Sequence, residues 1–371
     1  MLTALFPRPQ ASINTSTWGA WPGDDDATTA ARQVNRNEAL QLMAVYGCVR
    51  LISDSISTMP VDVYRSTGDD DRRVEVTPPE WLAMPTPDLE FESWCSQVTS
   101  SLLLHGNAFL AVMRGRADRI VSVTPLDPLK VQVERVNGRK AYRVDGQTFN
   151  GEIVHVKGMM LPGSDEGLSP IEYARRTIGL GLSAIDYGAN FFDRDGNMPG
   201  VIELPGAAQP ETLLNIAKQW RRQRTRSNRG LPGVLQSGAT WKPTGVNPEQ
   251  AQFLATRQWS AAEIAAQVFL VDPSDLGIPV AGTSLTYANL QDRNTRRLQV
   301  TLLPWIVRIE RAMSSLLAAQ QTAKFNVDGL LRADQRARFE AYKIGIDSQF
   351  MLPNEARDFE DWAPLPTQGA M

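Results

Sequence analysis

Residues 167–196 read GLSPIEYARRTIGLGLSAIDYGANFFDRDG, and how this stretch folds decides the rest. Ser169 has the side chain of an N-cap, Pro170 suits a first helical turn, and Glu172 completes a capping box. Ile171, Ala174, Ile178, Ile185, Ala189 and Phe192 then fall on one helical face. The spacing predicts a long helix ending near DRDG. Gly179, Gly181 and Gly188 lie inside it. Each costs about 1 kcal/mol relative to Ala in an exposed helix, a loss that close approach of a neighbouring helix offsets.

A second long helix follows. Asn247 is its cap, Pro248 its first residue and Gln250 its capping-box acceptor, and AQFLATRQWSAAEIAAQVFLV carries it to Asp272-Pro273. Between the two helices lie a short strand (GVIEL), a helix from about Pro210 to Arg222, and GVLQSGATWKP. Two long helices thus bracket a compact module. After the second comes a Gly/Pro-rich loop, DPSDLGIPVAGTSL, and a third long helix from near Thr286 to about Leu317 with Pro304 inside it, where a kink is expected.

N-terminal to this region, residues 1 to about 32 carry prolines, glycines and Asp24-Asp25-Asp26 without periodicity, and read as disordered. Leu40, Ala44, Cys48, Ile52, Ile56 and Met59 form one helical face that Pro60 ends. VDVYRS alternates as a strand. A short helix, a Pro-rich turn, a longer helix and a strand from Asn107 to Arg114 follow, then a β-rich module over roughly 107–158. The C-terminal segment holds a helix around Arg332–Ile344 that stops at Gly345, and a short one around Pro353–Trp362. The fold class is α+β.

The 371 residues are 42% hydrophobic and 21% charged, with a net charge of -3, so the chain as a whole exerts no pull on DNA or membrane. No apolar run approaches the ~20 residues of a membrane span. MLTALFPRPQAS lacks the pattern of a signal peptide. Cys48 and Cys95 lie far apart in helix-like settings and read as reduced, buried thiols of a cytoplasmic protein.

Catalytic chemistry needs convergent polar groups, and few are present. His105 and His155 are the only histidines and read as hydrogen-bonded structural residues; with two scattered cysteines they make no zinc site. No cofactor is implied. Gly277–Ser284 (GIPVAGTS) has the spacing of a phosphate-binding loop, but Thr283 stands where the lysine belongs. Asp24–Asp26 and Asp69–Asp71 are consecutive acids that point apart rather than converge on a metal. A DNA-acting enzyme, nuclease or motor, is the disfavoured alternative.

One charged feature stands out. Residues 219–230, QWRRQRTRSNRG, hold Arg221, Arg222, Arg224, Arg226 and Arg229, and residues 196–247 carry seven basic against two acidic groups. Contact with nucleic-acid phosphate, a solvated helix end and a subunit contact all fit such a run.

The order of motifs resembles phage portal proteins of the HK97 type over roughly residues 37–365. The marks are AVYGCVRLISDSISTMPVDVYR, LLLHGNAFLAV, VTPLDPLKVQV, IVHVKG leading to GLSPIEYA, ANFFDRDGNMPGVIEL, TYANLQDRN with TLLPWIVRIERAMSSLL, and LPNEARDFEDWAPLP. The resemblance implies a portal fold: an α/β wing, long stem helices, a small α/β clip, a kinked tunnel helix and a short helical crown. It implies a homo-oligomeric ring, usually a dodecamer, at one capsid vertex. Double-stranded DNA passes through it without sequence recognition, and the terminase large subunit, a head–tail adaptor and the major capsid protein contact it.

Carried onto this chain, the resemblance makes 1–36 an N-terminal arm, 37–168 the first part of the wing, 169–195 the first stem helix and 196–246 the clip. It makes 247–271 the second stem helix, 272–285 the tunnel loop, 286–328 the tunnel helix with the wing's return, and 329–371 the crown. The clip arginines then take docking and ring contact as their leading role. Gly179, Gly181 and Gly188 would serve stem packing between subunits. Asp272, Asp275, Leu276, Gly277, Ile278, Pro279, Val280 and Gly282 would line the channel. That loop lacks Lys and Arg, and a loop that does not bind phosphate lets DNA slide.

Overall fold

The computed structural model describes residues 34–66, 73–193, 200–203, 211, 214–218, 240–243, 253–279, 293–327, 335–360 and 362–365. The expected N-terminal arm lies almost wholly outside these residues. The first described element is α1, Arg36–Gln41, capped by Asn35 and Glu38 in a reciprocal box. The single helix face expected from Leu40 to Met59 is two helices, because Leu42 turns extended before α2, Met43–Ser57. Strand β1 (Val61–Ser66) follows Pro60, then β2 (Arg73–Val76), a one-turn α3 (Glu80–Ala83) and α4 (Phe91–His105).

Helices α2 and α4 pack side by side and form the heart of the core, with Cys48, Ile52, Ile56, Trp94, Val98 and Leu102 buried between them. The Trp94 indole N–H, buried with its ring, donates to Val123 O at 2.8 Å. Both cysteines are free and buried, and burial pushes each thiol up to about 12. They pack as inert apolar groups.

Gly106 ends α4 in the left-handed region (φ 71°) and releases the chain into β3, Asn107–Arg114. With β4 (Ile120–Leu126) and β8 (Glu152–Lys157), β3 makes an antiparallel sheet of order β4-β3-β8. Between these last two strands the chain forms a second sheet, β5 (Val131–Val136), β6 (Arg139–Val144) and β7 (Gln147–Thr148). The β-rich module expected over 107–158 is thus two small sheets, joined by the rings of Phe109, His155 and Tyr142.

The first long helix is present with an interruption: α5, Pro170–Tyr173, stops at Ala174, and α6 runs Arg175–Asp193. Ser169 Oγ accepts from Glu172 N at 3.3 Å and donates to Leu104 O at 2.7 Å, so the cap also ties this helix to α4. Strands β9 (Gly200–Glu203) and β10 (Thr240–Pro243) pair antiparallel, so the excursion leaves and returns as one ribbon. Lys242 Nζ meets Glu203 Oε2 across it at 2.6 Å. The second long helix is described from Phe253: α7, Phe253–Glu263, continues as a π-helical turn over Ile264–Val268. Its expected cap at Asn247 lies outside the described residues. Helix α7 packs on α6.

The third long helix is described from residue 293. A π-helical turn, Arg297–Leu302, precedes α8, Leu303–Leu316. Pro304 therefore stands where the helix passes from the π-helical turn into α8, beside a hydrogen-bond ladder already altered from the α pattern. The chain then forms β11, Gln321–Phe325, which pairs antiparallel with β1 from Val61↔Phe325 to Arg65↔Gln321. This strand was not anticipated. Glu310, buried on α8, fixes it: Oε2 meets Lys324 Nζ at 2.7 Å and Oε1 accepts from Phe325 N at 2.9 Å. Helices α9 (Gln335–Asp347) and α10 (Pro353–Asp358) complete the chain; α9 runs through Gly345 rather than stopping there. Their rings cluster, with Phe339 beside Tyr342 and Trp362, and Tyr342 stacked on Phe359.

Candidate functional site

The elements expected to pack, dock and line a channel occupy three places. The first is the helix pair α6–α7. Gly179, Gly181 and Gly188 are all buried within the single chain. A Cβ on Gly181 would lie 3.1 Å from Leu42 Cδ2 and 3.3 Å from Ser260 Oγ, side chains of the α1–α2 junction and of α7. The close approach at Gly181 is made inside the chain, against the α1–α2 junction and α7. The apolar side chains the pair leaves outward are others: Leu180, Tyr187 and Trp259, the last 61% exposed. Of the face expected from sequence, Ile171 and Ile178 are buried, Ala174 and Ile185 half-buried and Ala189 exposed.

The second place is the excursion closed by the β9–β10 ribbon. Arg221, Arg222, Arg224, Arg226 and Arg229 lie outside the described residues, as do Val280 and Gly282 of the expected tunnel loop.

The third place is the segment after α7. Asp272 caps a 3-10 turn, Pro273–Leu276: its Oδ1 accepts from Ser274 N at 2.9 Å and from Ser274 Oγ at 2.5 Å. Burial opposes charge on Asp272, but the Ser274 hydrogen bonds and the arginines Arg293 and Arg296 outweigh it and hold the pKa below the usual range. Gly277 closes the turn in the left-handed region (φ 72°).

Asp275 points inward, its side chain 6% exposed. Arg293 NH2 reaches Asp275 Oδ1 at 2.8 Å, and Arg297 grips the same carboxylate with two nitrogens, Nε to Oδ2 at 2.9 Å and NH2 to Oδ1 at 2.8 Å. Arg293 also donates to Ser274 Oγ. Leu276 packs over Gly47 of α2, its Cδ2 3.2 Å from where a Cβ would stand.

Residues 272–277 are thus a latch, joining the end of α7 to the π-turn before α8 and to α2. The Asp275 carboxylate is held by two arginines of the same chain, and Leu276, half-buried, packs against the core. Ile278 N donates back to Pro273 O at 3.0 Å, and Pro279 is the last residue described before 293. The phosphate-loop spacing also loses its context, since Gly277 follows a capped turn and not a strand.

The histidines hold structure. Asn107, buried at the α4–β3 junction, donates from Nδ2 to Gly167 O at 2.8 Å and to His105 O at 3.1 Å. Its Oδ1 accepts from Gly167 N at 2.7 Å and lies 2.9 Å from His155 Nε2. Burial, then the nearby Lys157 and Lys140, lowers His155 to about 3; burial, then Arg36, lowers His105 to about 4. Both are neutral at neutral pH. Gly106, Gly158 and Gly167 meet here backbone to backbone: a Cβ on Gly167 would stand 2.2 Å from Gly106 O. Among the described residues no group of His, Cys, Asp and Glu could hold a metal ion, and no helix is long and apolar enough to cross a membrane.

The described residues thus form a mixed helix-and-sheet body with a packed helix pair, α6 and α7, and the β9–β10 ribbon between them in sequence. The chain belongs to the phage portal protein family, whose model matches residues 43–361. It is 36% identical over 358 residues to the probable portal protein of Streptomyces phage phiC31, covering 90% of this chain and 77% of that one. It is 28% identical over 355 residues to the portal protein of Enterobacteria phage HK97, covering 90% and 81%.

Among solved structures, it shares its fold with an HK97-family phage portal protein from Corynebacterium diphtheriae, with a TM-score of 0.63, 18% identity, and coverage of 81% and 98%. It shares it also with a chain in the neck of a native gene transfer agent particle computed with C12 symmetry, with a TM-score of 0.55, 20% identity, and coverage of 88% and 94%. The family is structural, not catalytic.

Proposed function

We propose that twelve copies of this chain form a ring at one vertex of a capsid. Double-stranded DNA enters through its channel during packaging and leaves through it at ejection. The family match over residues 43–361 carries the reading, and the twelvefold symmetry of a related neck supports the copy number. The outward apolar side chains of α6 and α7 support assembly, because a ring buries on a neighbour what a lone chain leaves wet.

In this reading residues 37–168 and the returning strand β11 form the wing, α6 and α7 the stem, and the excursion 196–246 the clip. The clip arginines dock the terminase large subunit and later a head–tail adaptor, and the wing meets the major capsid protein. The channel loop starts at Ile278, beyond the latch. The ring assembles in the host cytoplasm and stays in the virion.

Light scattering with negative-stain imaging tests it. Twelve chains of 41.0 kDa give about 490 kDa and an annular particle. A monomer at all concentrations, or one that cleaves DNA with added metal, would overturn the reading. Changing Arg221, Arg222 and Arg224 to Glu should impair ring assembly or terminase docking; normal rings that still bind terminase and lose only DNA retention would reassign those arginines to the channel.

A further inference from the structure

The solvent face of α8 carries a groove of about 390 Å³ lined by Gln299, Leu303, Pro304, Val307, Arg308 and Arg311. Its walls are apolar, with Leu303 41% exposed. Its polar edge is two guanidiniums at i and i+3, a like-charge spacing that works against the helix unless an anion sits between them. Arg308 is held in place: it stacks over the Trp305 ring at 5.3 Å and donates to Pro304 O. Burial, then Arg311, lowers its pKa, as expected of a cation short of counter-charge. Among the described residues neither arginine meets a carboxylate.

The same chain carries the complement. Asp88, Glu90 and Glu92 are exposed where the chain turns into α4, with Leu89 and Phe91 between them, and no cation pairs with any of the three among the described residues. We propose that the α8 groove receives the Asp88–Glu92 segment of a second copy of this chain, its carboxylates on Arg308 and Arg311 and Leu89 against the apolar wall. Each copy holds one groove and one acidic segment, so the contact is head-to-tail and repeats around a closed ring. The apolar walls favour a protein segment over the hydrated phosphates of DNA. The inference rests on the ring reading above.

The test is ring dissociation on dilution, followed by light scattering on the full chain, with circular dichroism confirming that each variant is folded. The double variant R308E/R311E should raise the concentration at which rings dissociate by about tenfold or more. D88K/E92K should do the same, and combining all four changes should restore assembly to within about threefold of the original. Should the glutamate variant fail to fold, R308Q/R311Q must shift dissociation in the same direction.

Unchanged dissociation of the arginine variants would overturn the proposal and leave the ring reading standing. Failure of the combined variant to recover would overturn the pairing with residues 88–92. Rings of normal stability that lose only DNA retention would reassign the groove to nucleic acid. If the unaltered chain forms no ring at any concentration, both readings fall together.

Discussion

Replacing Asn107 with Leu removes one side chain and strands several buried groups. The amide is the sole described side-chain partner of both Gly167 N and Gly167 O, at 2.7 and 2.8 Å, in a buried setting. Leucine matches the volume and satisfies neither. A buried backbone group left unpaired costs about 1–3 kcal/mol, so two cost about 2–6 kcal/mol. His155 Nε2 loses its partner as well, and its Nδ1 already has none.

Water cannot readily replace the amide, because Gly106, Gly158 and Gly167 bring their backbones too close. The effect should be local first: exchange of the Gly167 amide hydrogen should accelerate at least about thirtyfold, the equivalent of 2 kcal/mol. The urea midpoint of the chain should fall in parallel. Because Ser169, two residues on, caps α5 and bonds Leu104 O, ring assembly should weaken too. A Gly167 amide as protected in N107L as in the original chain would refute the reasoning, whatever happened to global stability.

Asp275→Asn should cost about 2–3 kcal/mol, below the range for a fully buried pair because both guanidiniums keep some solvent access, and should deprotect the Gly277 and Ile278 amides in hydrogen exchange. Gly181→Leu should destabilise by about 1–3 kcal/mol in urea by forcing Leu42 and Ser260 aside, whereas Gly181→Ala should be nearly neutral, its helix propensity offsetting a 3.1 Å contact. The stability of the chain should fall as pH drops from about 6.5 toward 4. His155 and His105 bind protons less readily folded than unfolded, so the unfolded chain takes them up first, and H155Q should flatten this acid limb when urea midpoints are compared at pH 7.5 and 5.

The helices were legible because their signals are local. Ser169 and Pro170 announce a start, Pro60 announces an end, and apolar spacing gives the faces. What was missed depends on residues far apart. Strand β11 alternates inward Ala323 and Phe325 with outward Thr322 and Lys324, but five residues of alternation are a weak signal, and its partner β1 lies some 260 positions upstream. The latch is hidden for the same reason. Asp275 looks like a loop acid until Arg293 and Arg297, one turn apart on another element, are brought to it. Sequence alone does not say whether the close neighbour of Gly181 belongs to the same chain or another.

The widened turn at Arg297–Leu302, where Leu303 N reaches back to Leu298 O, sets angular phase. It inserts one residue more than an α-turn between the arginines of the latch and the face of α8 that carries Ile306, Ile309 and Glu310. Deleting one residue there would close the turn to α geometry and rotate the upstream helix by about 100° against α8. Glu310 would still find Lys324, while Arg293 and Arg297 would swing off Asp275. The turn works as a gear tooth, keeping two halves of one helix in mesh with partners on different sides of the molecule.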